Sequence, residues 1–489
     1  GKGISYSGNL VFSYNKIFED NSLITANLGG NITRDDSRSE LFRGIGFYSD
    51  ELSFINFASS YPDGEEPYGS QSLSSDVGAF MNLNYSYRNR YYADGVYQVT
   101  GSSKFGANNR YAHFWSAGLG WNIHNESFIN KEIFNLLKIR GSMGYTGKVS
   151  FAPYQALTTY QYGNSLNYLN GIGAVPITIG NPDLTWEKTM NYNIGTDFSL
   201  FNRRLNLVLD VYLRKTIDLL IDKTVAPSTG AITGKDNLGE MENKGIEVRL
   251  DGYIIQNKDL TLQLGTSFQH NRNKILKISN ALEYQNEMFN EMGTLAPLPQ
   301  FQEGEPTTAL KVVRSAGIDP ATGQEIFIKR NGDRTYTYDP VDKVVVGDQL
   351  PKLSGNYFAN FRYRNFSVSA YMNFRYGGYI YNTTRASKVE GADPRYNADE
   401  RVFSDRWREP GDIAMYKNIQ DQSMPMQTTR FVEKENTLNL QRFNFGYELD
   451  RNIAQKLGAT RLSVSIGMND IFRLSTVKME RGTSYLYSR

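Results

Sequence analysis

Long runs of strict two-residue alternation dominate this chain. From Trp186 to Leu200 the even positions are Trp186, Lys188, Met190, Tyr192, Ile194, Thr196, Phe198 and Leu200, while Glu187, Thr189, Asn191, Asn193, Gly195, Asp197 and Ser199 fill the odd ones. Only an extended strand with two unlike faces reads this way. After Phe201-Asn202-Arg203-Arg204 the pattern resumes, with Leu205, Leu207, Leu209, Val211 and Leu213 on one face. It returns at Ile246–Asp251, Leu260–Gln269, Phe366–Tyr376 and Leu462–Asn469. The whole chain reads as about fourteen to sixteen such strands.

Each strand spans roughly ten to fourteen residues, whereas globular strands have a mode of about five or six. A tilted strand needs about nine to eleven residues to cross a bilayer. Connections alternate in length as well. Short ones lie at Tyr87–Arg90, Phe201–Arg204, Gln256–Asp259 and Arg364–Asn365, and long ones run from about Arg34 to Ser75, Gly147 to Thr185, Asp218 to Glu242 and Gly377 to Asn436. Short turns on one side and long loops on the other are the habit of outer-membrane barrels. The expected fold is therefore an all-β transmembrane antiparallel β-barrel. Tyr85, Tyr87, Tyr91, Tyr92, Trp115, Trp121 and Trp186 are expected to form its interfacial girdles. Short helices are expected only near Asn130–Leu137 and Asp450–Leu457. A soluble all-β protein with one wet face is the alternative architecture.

Composition excludes several chemistries. With no Cys, thiolate metal sites, iron–sulfur clusters and disulfides are out of reach, and with only His113, His124 and His270 no multi-His centre is expected. The balance of 53 Lys+Arg against 51 Asp+Glu gives no global attraction to nucleic acid. No run of about 20 apolar residues is present for a membrane helix. The 33 Tyr and 27 Phe favour strands.

No catalytic constellation stands out, so no enzyme activity and no cofactor are expected. Gly101-Ser102-Ser103-Lys104-Phe105-Gly106 lies between two strands, and a phosphate cradle needs a helix after the loop, so a turn is expected there. Glu65-Glu66, and Asp393 with Asp399 and Glu400, read as solvated loop charge. Asn331-Gly332-Asp333-Arg334 keeps only a fragment of a calcium-loop spacing and reads as a hairpin turn, with no metal assigned. The remaining candidates are loop aromatics that stack on sugars or clasp peptide side chains: Tyr160, Tyr162 and Tyr168 in one loop, Tyr379, Tyr381 and Trp407 in another. Packing between loops is the competing role for each.

Several segments together resemble the SusC/RagA family of TonB-dependent outer-membrane transporters. They are Gly101–Gly106 with Asn108-Asn109-Arg110, Trp115–Asn122, Asn181-Pro182-Asp183-Leu184-Thr185-Trp186 with Asn193-Ile194-Gly195, Glu242–Glu247, Gly317–Gly323, Asp405-Arg406-Trp407 and Asn469-Asp470-Ile471-Phe472. The resemblance implies a barrel of about 22 strands around a plug. Residues 1–489 would then be one partial barrel domain. The plug, the first strands, the last strand and a signal peptide are expected outside this chain. It further implies the outer membrane of a Bacteroidetes-type Gram-negative cell, and energy-coupled nutrient uptake driven by TonB through the plug. A SusD-like surface lipoprotein would serve as lid. Oligosaccharides are the first expected substrate class and peptides the second. A passive porin or a surface-binding barrel is the rival reading.

Overall fold

In the computed structural model, residues 1–49, 51, 54–63, 68–148, 152–168, 171–225, 230, 233–237, 239–393, 395 and 400–477 are described. Fourteen strands make one sheet in which spatial order follows chain order. They are β1 (Lys2–Ile17), β2 (Leu23–Leu41), β3 (Tyr68–Tyr87), β4 (Tyr91–Ser102), β5 (Tyr111–Asn122), β6 (Phe134–Lys148), β7 (Glu187–Leu200), β8 (Leu205–Ile217), β9 (Glu240–Gln256), β10 (Leu260–Lys277), β11 (Leu353–Tyr363), β12 (Phe366–Tyr381), β13 (Val432–Glu448) and β14 (Ser463–Ser475). The strands run from 11 to 20 residues, longer than their alternation suggests. Both ends of several strands are polar, so the loops begin later than expected: β2 runs on to Leu41 and β3 starts at Tyr68.

Two compact units divide the chain. The first holds residues 1–120, 142–191 and 216–238, the second 121–141, 192–215 and 239–489. In the first, register stacks Phe12, Leu28, Met81 and Tyr97 side by side across β1–β4, with Tyr14, Ala26 and Leu83 in the next row. The opposite face carries Ser13, Asn27 and Asn82, then Asn15, Thr25, Asn84 and Asp94. In the second unit the apolar rows are Leu264–Ala359–Ala370–Phe443–Met468 and Leu262–Phe361–Val368–Phe445–Ile466. Gln263, Asn360, Ser369 and Asn444 line up behind them.

Large side chains of the apolar rows are exposed: Phe12 is 65% exposed, Leu28 59%, Met81 50% and Tyr97 49%. In water such a band would exceed the apolar patch that a soluble monomer leaves uncovered. In hydrocarbon it is the solvated face. At the short-turn end of the second unit Tyr363, Phe366 and Tyr447 gather, the last two with ring centroids 4.7 Å apart. Tyr87 and Tyr91 stack at 6.4 Å beside the turn 88–90. Aromatic residues at strand ends belong at a membrane interface. No described helix is long and apolar enough to cross a membrane.

Two helix expectations fare differently. Arg451–Lys456 is helical as expected. Asn130–Leu137 is not: the Asn130 side chain accepts from the Glu132 amide at 2.9 Å, closing a local turn, and Phe134 already begins β6. The longest helix, Asn280–Glu291, was not anticipated, although Ser279 caps it by accepting from the Leu282 amide. Trp186 also departs from expectation. It is buried just before β7 and belongs to no girdle.

The two faces predict opposite tolerances. In the intact protein, Ala359→Arg on the apolar face should destabilise the sheet by about 2–4 kcal/mol. Asn360→Arg, one residue along on the polar face, should shift the urea midpoint of refolding into vesicles far less. Equal shifts would contradict this assignment of faces.

Candidate functional site

In the first unit, two long connections are tied together. Thr159–Tyr168, Gly171–Ile179, Leu220–Thr224 and Thr233–Asn237 form a small sheet, joined between connections by parallel pairing of Thr233 with Thr178 and Gly234 with Ile179. Beside it, the turn after β4 docks on the segment before β7. The Asn108 amide donates to Asp183 Oδ1 and that of Asn109 to the Asp183 carbonyl, both at 2.8 Å. Phe105 stacks on Trp186 at 4.3 Å, Phe114 meets the same indole edge-on at 5.4 Å, and Leu184 is fully buried. A Cβ at Gly106 would collide with the Pro182 carbonyl, so the approach requires glycine. Asn237 closes the joint, accepting from the Thr185 amide at 2.8 Å and donating to the Thr185 and Asp218 carbonyls.

In the second unit, connections 278–352 and 382–431 interlock more firmly. The strands Ala309–Ile318, Glu325–Ile328, Arg334–Thr335 and Lys343–Asp348 form a small sheet. Onto it the Val313 amide brings the Gln427 carbonyl at 3.0 Å, and the Ser315 amide brings Thr429 Oγ1 at 3.0 Å. Asn331–Arg334 is the expected hairpin turn, with Gly332 at φ +97°. Asp319 accepts from Thr322 Oγ1 at 2.7 Å, Tyr336 Oη at 2.8 Å and the Ala321 amide at 3.1 Å. Those donors, Thr322 first, hold its carboxyl below the ordinary range. Trp407 covers this turn: its indole N–H donates to the Pro320 carbonyl at 2.9 Å, and a Cβ at Gly323 would stand 2.5 Å from its ring.

Two buried arginines organise the 382–431 connection. Arg406 donates to the carbonyls of Val402 (2.8 Å), Lys417 (3.1 Å), Val389 and Glu390 (both 2.5 Å), tying the ends of two short helical turns together. Arg430 bridges Glu390 at 2.5 and 2.7 Å and Glu325 at 2.6 Å, and so crosses from one connection to the other. Burial alone would lower the pKa of Arg430, but the bonds to Glu390 and Glu325 outweigh it and raise the value. Around this triad Val389, Val402, Tyr416 and Phe431 form the local core.

The predicted aromatics separate into two groups. Tyr160 is 57% exposed on the strand Thr159–Tyr168; Tyr162 and Tyr168 share that strand, and their side chains fall outside the described residues. These positions lie in a small sheet, not in an open loop. Tyr379 and Tyr381 end β12 and likewise are not loop residues. Tyr379 packs against Gly347, and Tyr381 meets Phe431 edge-on at 5.8 Å. Of the acidic residues, Glu65, Glu66 and Asp399 lie outside the described residues. Asp393 is chelated by Arg395 at 2.6 Å, which holds its carboxyl at about 2. Missed from sequence was Arg140, which crosses the polar face to Asp210 (2.7 Å) and Asp197 (3.5 Å). A Cβ at Gly195 would stand 2.6 Å from this pair.

Glu390→Gln leaves Arg430 with one carboxylate in a buried site, and losing a partner there costs about 3–5 kcal/mol. Proteolysis should then cut within 382–431 well before it touches the strands; unchanged resistance would deny the triad its role. The Asp319 turn carries a pH signature. A depressed folded pKa means its contribution is complete above the ordinary carboxylate value, about 3.9, and is lost as pH falls through the lower folded value. Protection of the Gly323 amide from hydrogen exchange should hold at pH 5 and vanish only in stronger acid, whereas Asp319→Ala should abolish it throughout.

Residues 3–399 match the family described as TonB dependent receptor-like, beta-barrel. The TonB-dependent receptor P39 of Formosa agariphila is 26% identical over 94% of this chain and 48% of its own length. SusC of Bacteroides thetaiotaomicron, also a TonB-dependent receptor, is 28% identical over 64% of this chain and 32% of its own. The chain thus spans about half, or less, of the relatives it matches. The structure of the RagAB peptide transporter superposes with a TM-score of 0.86 at 22% identity, over 97% of this chain and 52% of that one. This chain belongs to the TonB-dependent receptor β-barrel family, and so to the outer membrane.

Proposed function

We propose that residues 1–489 supply part of the barrel wall and several external loops of a TonB-dependent nutrient importer. A plug elsewhere in the whole protein would receive the pull of TonB, and a SusD-like surface lipoprotein would close over the long connections. The observation carrying this reading is the contrast between short turns and long connections locked by buried ion pairs, in a chain of this family. Locked loops offer a lid one fixed surface, and a partner pays little ordering entropy on a preformed surface. Cargo crosses unchanged, so the wall needs no cofactor.

Oligosaccharide is the cargo class we favour. The polar face offers neutral amides and hydroxyls in rows, with Asn439 bonded to Asn373 at 2.7 Å, and several charges on it are paired. A polyhydroxylated, uncharged cargo suits such a surface. Tyr160, with Tyr162 and Tyr168 on the same strand, is proposed to contact it. Tyr379, Tyr381 and Trp407 are proposed to shape the site through the packing described. Peptide is the second reading, favoured by the fold shared with the RagAB peptide transporter.

The test is uptake of labelled oligosaccharides and peptides by cells carrying the intact protein, with and without TonB. Oligosaccharide entry that disappears with TonB is the expected result. Entry that persists without TonB rules out energy-coupled import, and entry of peptides alone selects the second reading. Tyr160→Ala should weaken oligosaccharide binding roughly two- to tenfold while assembly stays normal.

A further inference from the structure

We infer that the outer, bilayer-facing side of β8–β13 carries a binding strip for a phosphate-bearing lipid of the outer leaflet, built from Lys244, Arg272 and Lys274 and extended by Lys434. The strip lies on the side of the sheet turned away from any cargo, so it holds for sugars and peptides alike.

Its place is the upper edge of the apolar band. On β9 and β10 the outward residues pair as Leu250 with Thr266, Val248 with Phe268 and Ile246 with His270. The next two rows on the same face are Lys244 with Arg272 and Glu242 with Lys274. Asn243 and Asn273, which alternate with them, turn to the polar side, where Asn273 donates to Asn243 at 2.9 Å. From Leu260, beside the short turn, to His270 the strand climbs about 25 Å at roughly 3.4 Å per residue and a tilt of 35–45°. That is the height of the apolar band in an outer-membrane barrel. Lys244 and Arg272 are therefore the first side chains past the hydrocarbon, at headgroup level and on the side of the long connections, which is the external one. The boundary continues sideways. Gln269 pairs with Ser354 and Leu353 with Tyr376, so His270, Leu353 and Tyr376 share a row. Above it Lys434 stands over the Tyr376 ring, 5.2 Å from its centroid.

The charge is lopsided. On β8 Lys215 is held by Glu240 at 2.9 Å, and Lys244 lies 3.9 Å from Glu242. Arg272, Lys274 and Lys434 are exposed and have no carboxylate partner among the described residues. The cations outnumber Glu240 and Glu242, and the strip is net positive. Residues opposite one another on antiparallel strands have Cβ atoms about 5 Å apart, and next-but-one neighbours along a strand about 7 Å. Lys244, Arg272 and Lys274 thus reach one phosphate together, Arg272 with a planar fork and the lysines as point charges. Directly below, Ile246, Leu250 and Leu264 expose an apolar surface that an acyl chain covers. A lipid meets both halves of this surface at once, whereas a free phosphate uses only the upper one.

The experiment uses the intact protein in detergent and, as probe, lipid A, a phosphorylated and acylated disaccharide, with bound lipid measured by native mass spectrometry. Each Lys or Arg near a membrane surface strengthens attraction to an anionic headgroup roughly fivefold, so Arg272→Gln combined with Lys274→Gln should weaken binding about 10- to 30-fold. Arg249→Gln removes a cation from the opposite face of β9 and should leave binding unchanged. Dephosphorylated lipid A should bind the parent and the double variant alike. Parental binding by the double variant, or an equal loss in Arg249→Gln, overturns the strip. Displacement of lipid A by inorganic phosphate at equal concentration overturns the lipid as its occupant. Where the double variant fails to assemble, Arg272→Gln alone, expected to lose about fivefold, decides in the same way.

Discussion

Register is the constraint on which the remaining structure depends. Side chains along a strand alternate with a period of two, so a slip of one residue exchanges the two faces entirely. Between β10 and β14 such a slip would carry Leu264, Phe361, Val368 and Ile466 to the face now held by Gln263, Asn360 and Ser369. In a bilayer the unpaired amides would then lie in hydrocarbon, where each polar group without a partner costs several kcal/mol. Tight turns fix the register at one end. The Phe201–Arg204 connection, with Phe201, Asn202 and Arg203 all at positive φ, is one such clamp.

Several of the residues that carry the family resemblance act as joints between connections. Gly106 meets Pro182, Asn108 and Asn109 meet Asp183, and Trp407 covers the turn at Pro320 and Gly323. Each is a place where backbone approaches backbone or a ring lies on a main chain. Little latitude remains for the residue type there. Cargo contacts impose no such uniformity, because loops on a fixed scaffold vary with what they bind. A chain is therefore easier to assign to this family than to a cargo.

The strand set was readable from sequence because one side of the strands is apolar and the other polar, which imposes a two-residue period. In Phe366–Tyr376 and Leu205–Leu213 every position of one face is apolar, and the structure places strands over both. Where local and distant forces compete, the reading falters. Asn130 closes a turn with its own side chain, and the following Phe134–Ile139 is drawn into the sheet. Trp186 looked like a membrane-interface residue because it heads an alternating strand, yet Phe105 and Phe114 enclose it. The Arg430–Glu325 contact joins positions 105 apart, and no periodicity announces it. The helix Asn280–Glu291 did carry a capping serine, a local signal open to a closer reading of the long connection.

The zipping of 278–352 to 382–431 bears on how such proteins diversify. Val313 with Gln427, Glu325 with Arg430 and Pro320 with Trp407 are shared bonds, so neither connection holds its shape alone. Recombination that exchanges one connection between relatives leaves half of each joint behind. The unit that can be exchanged without breaking a joint is the pair, together with β11 and β12 between them.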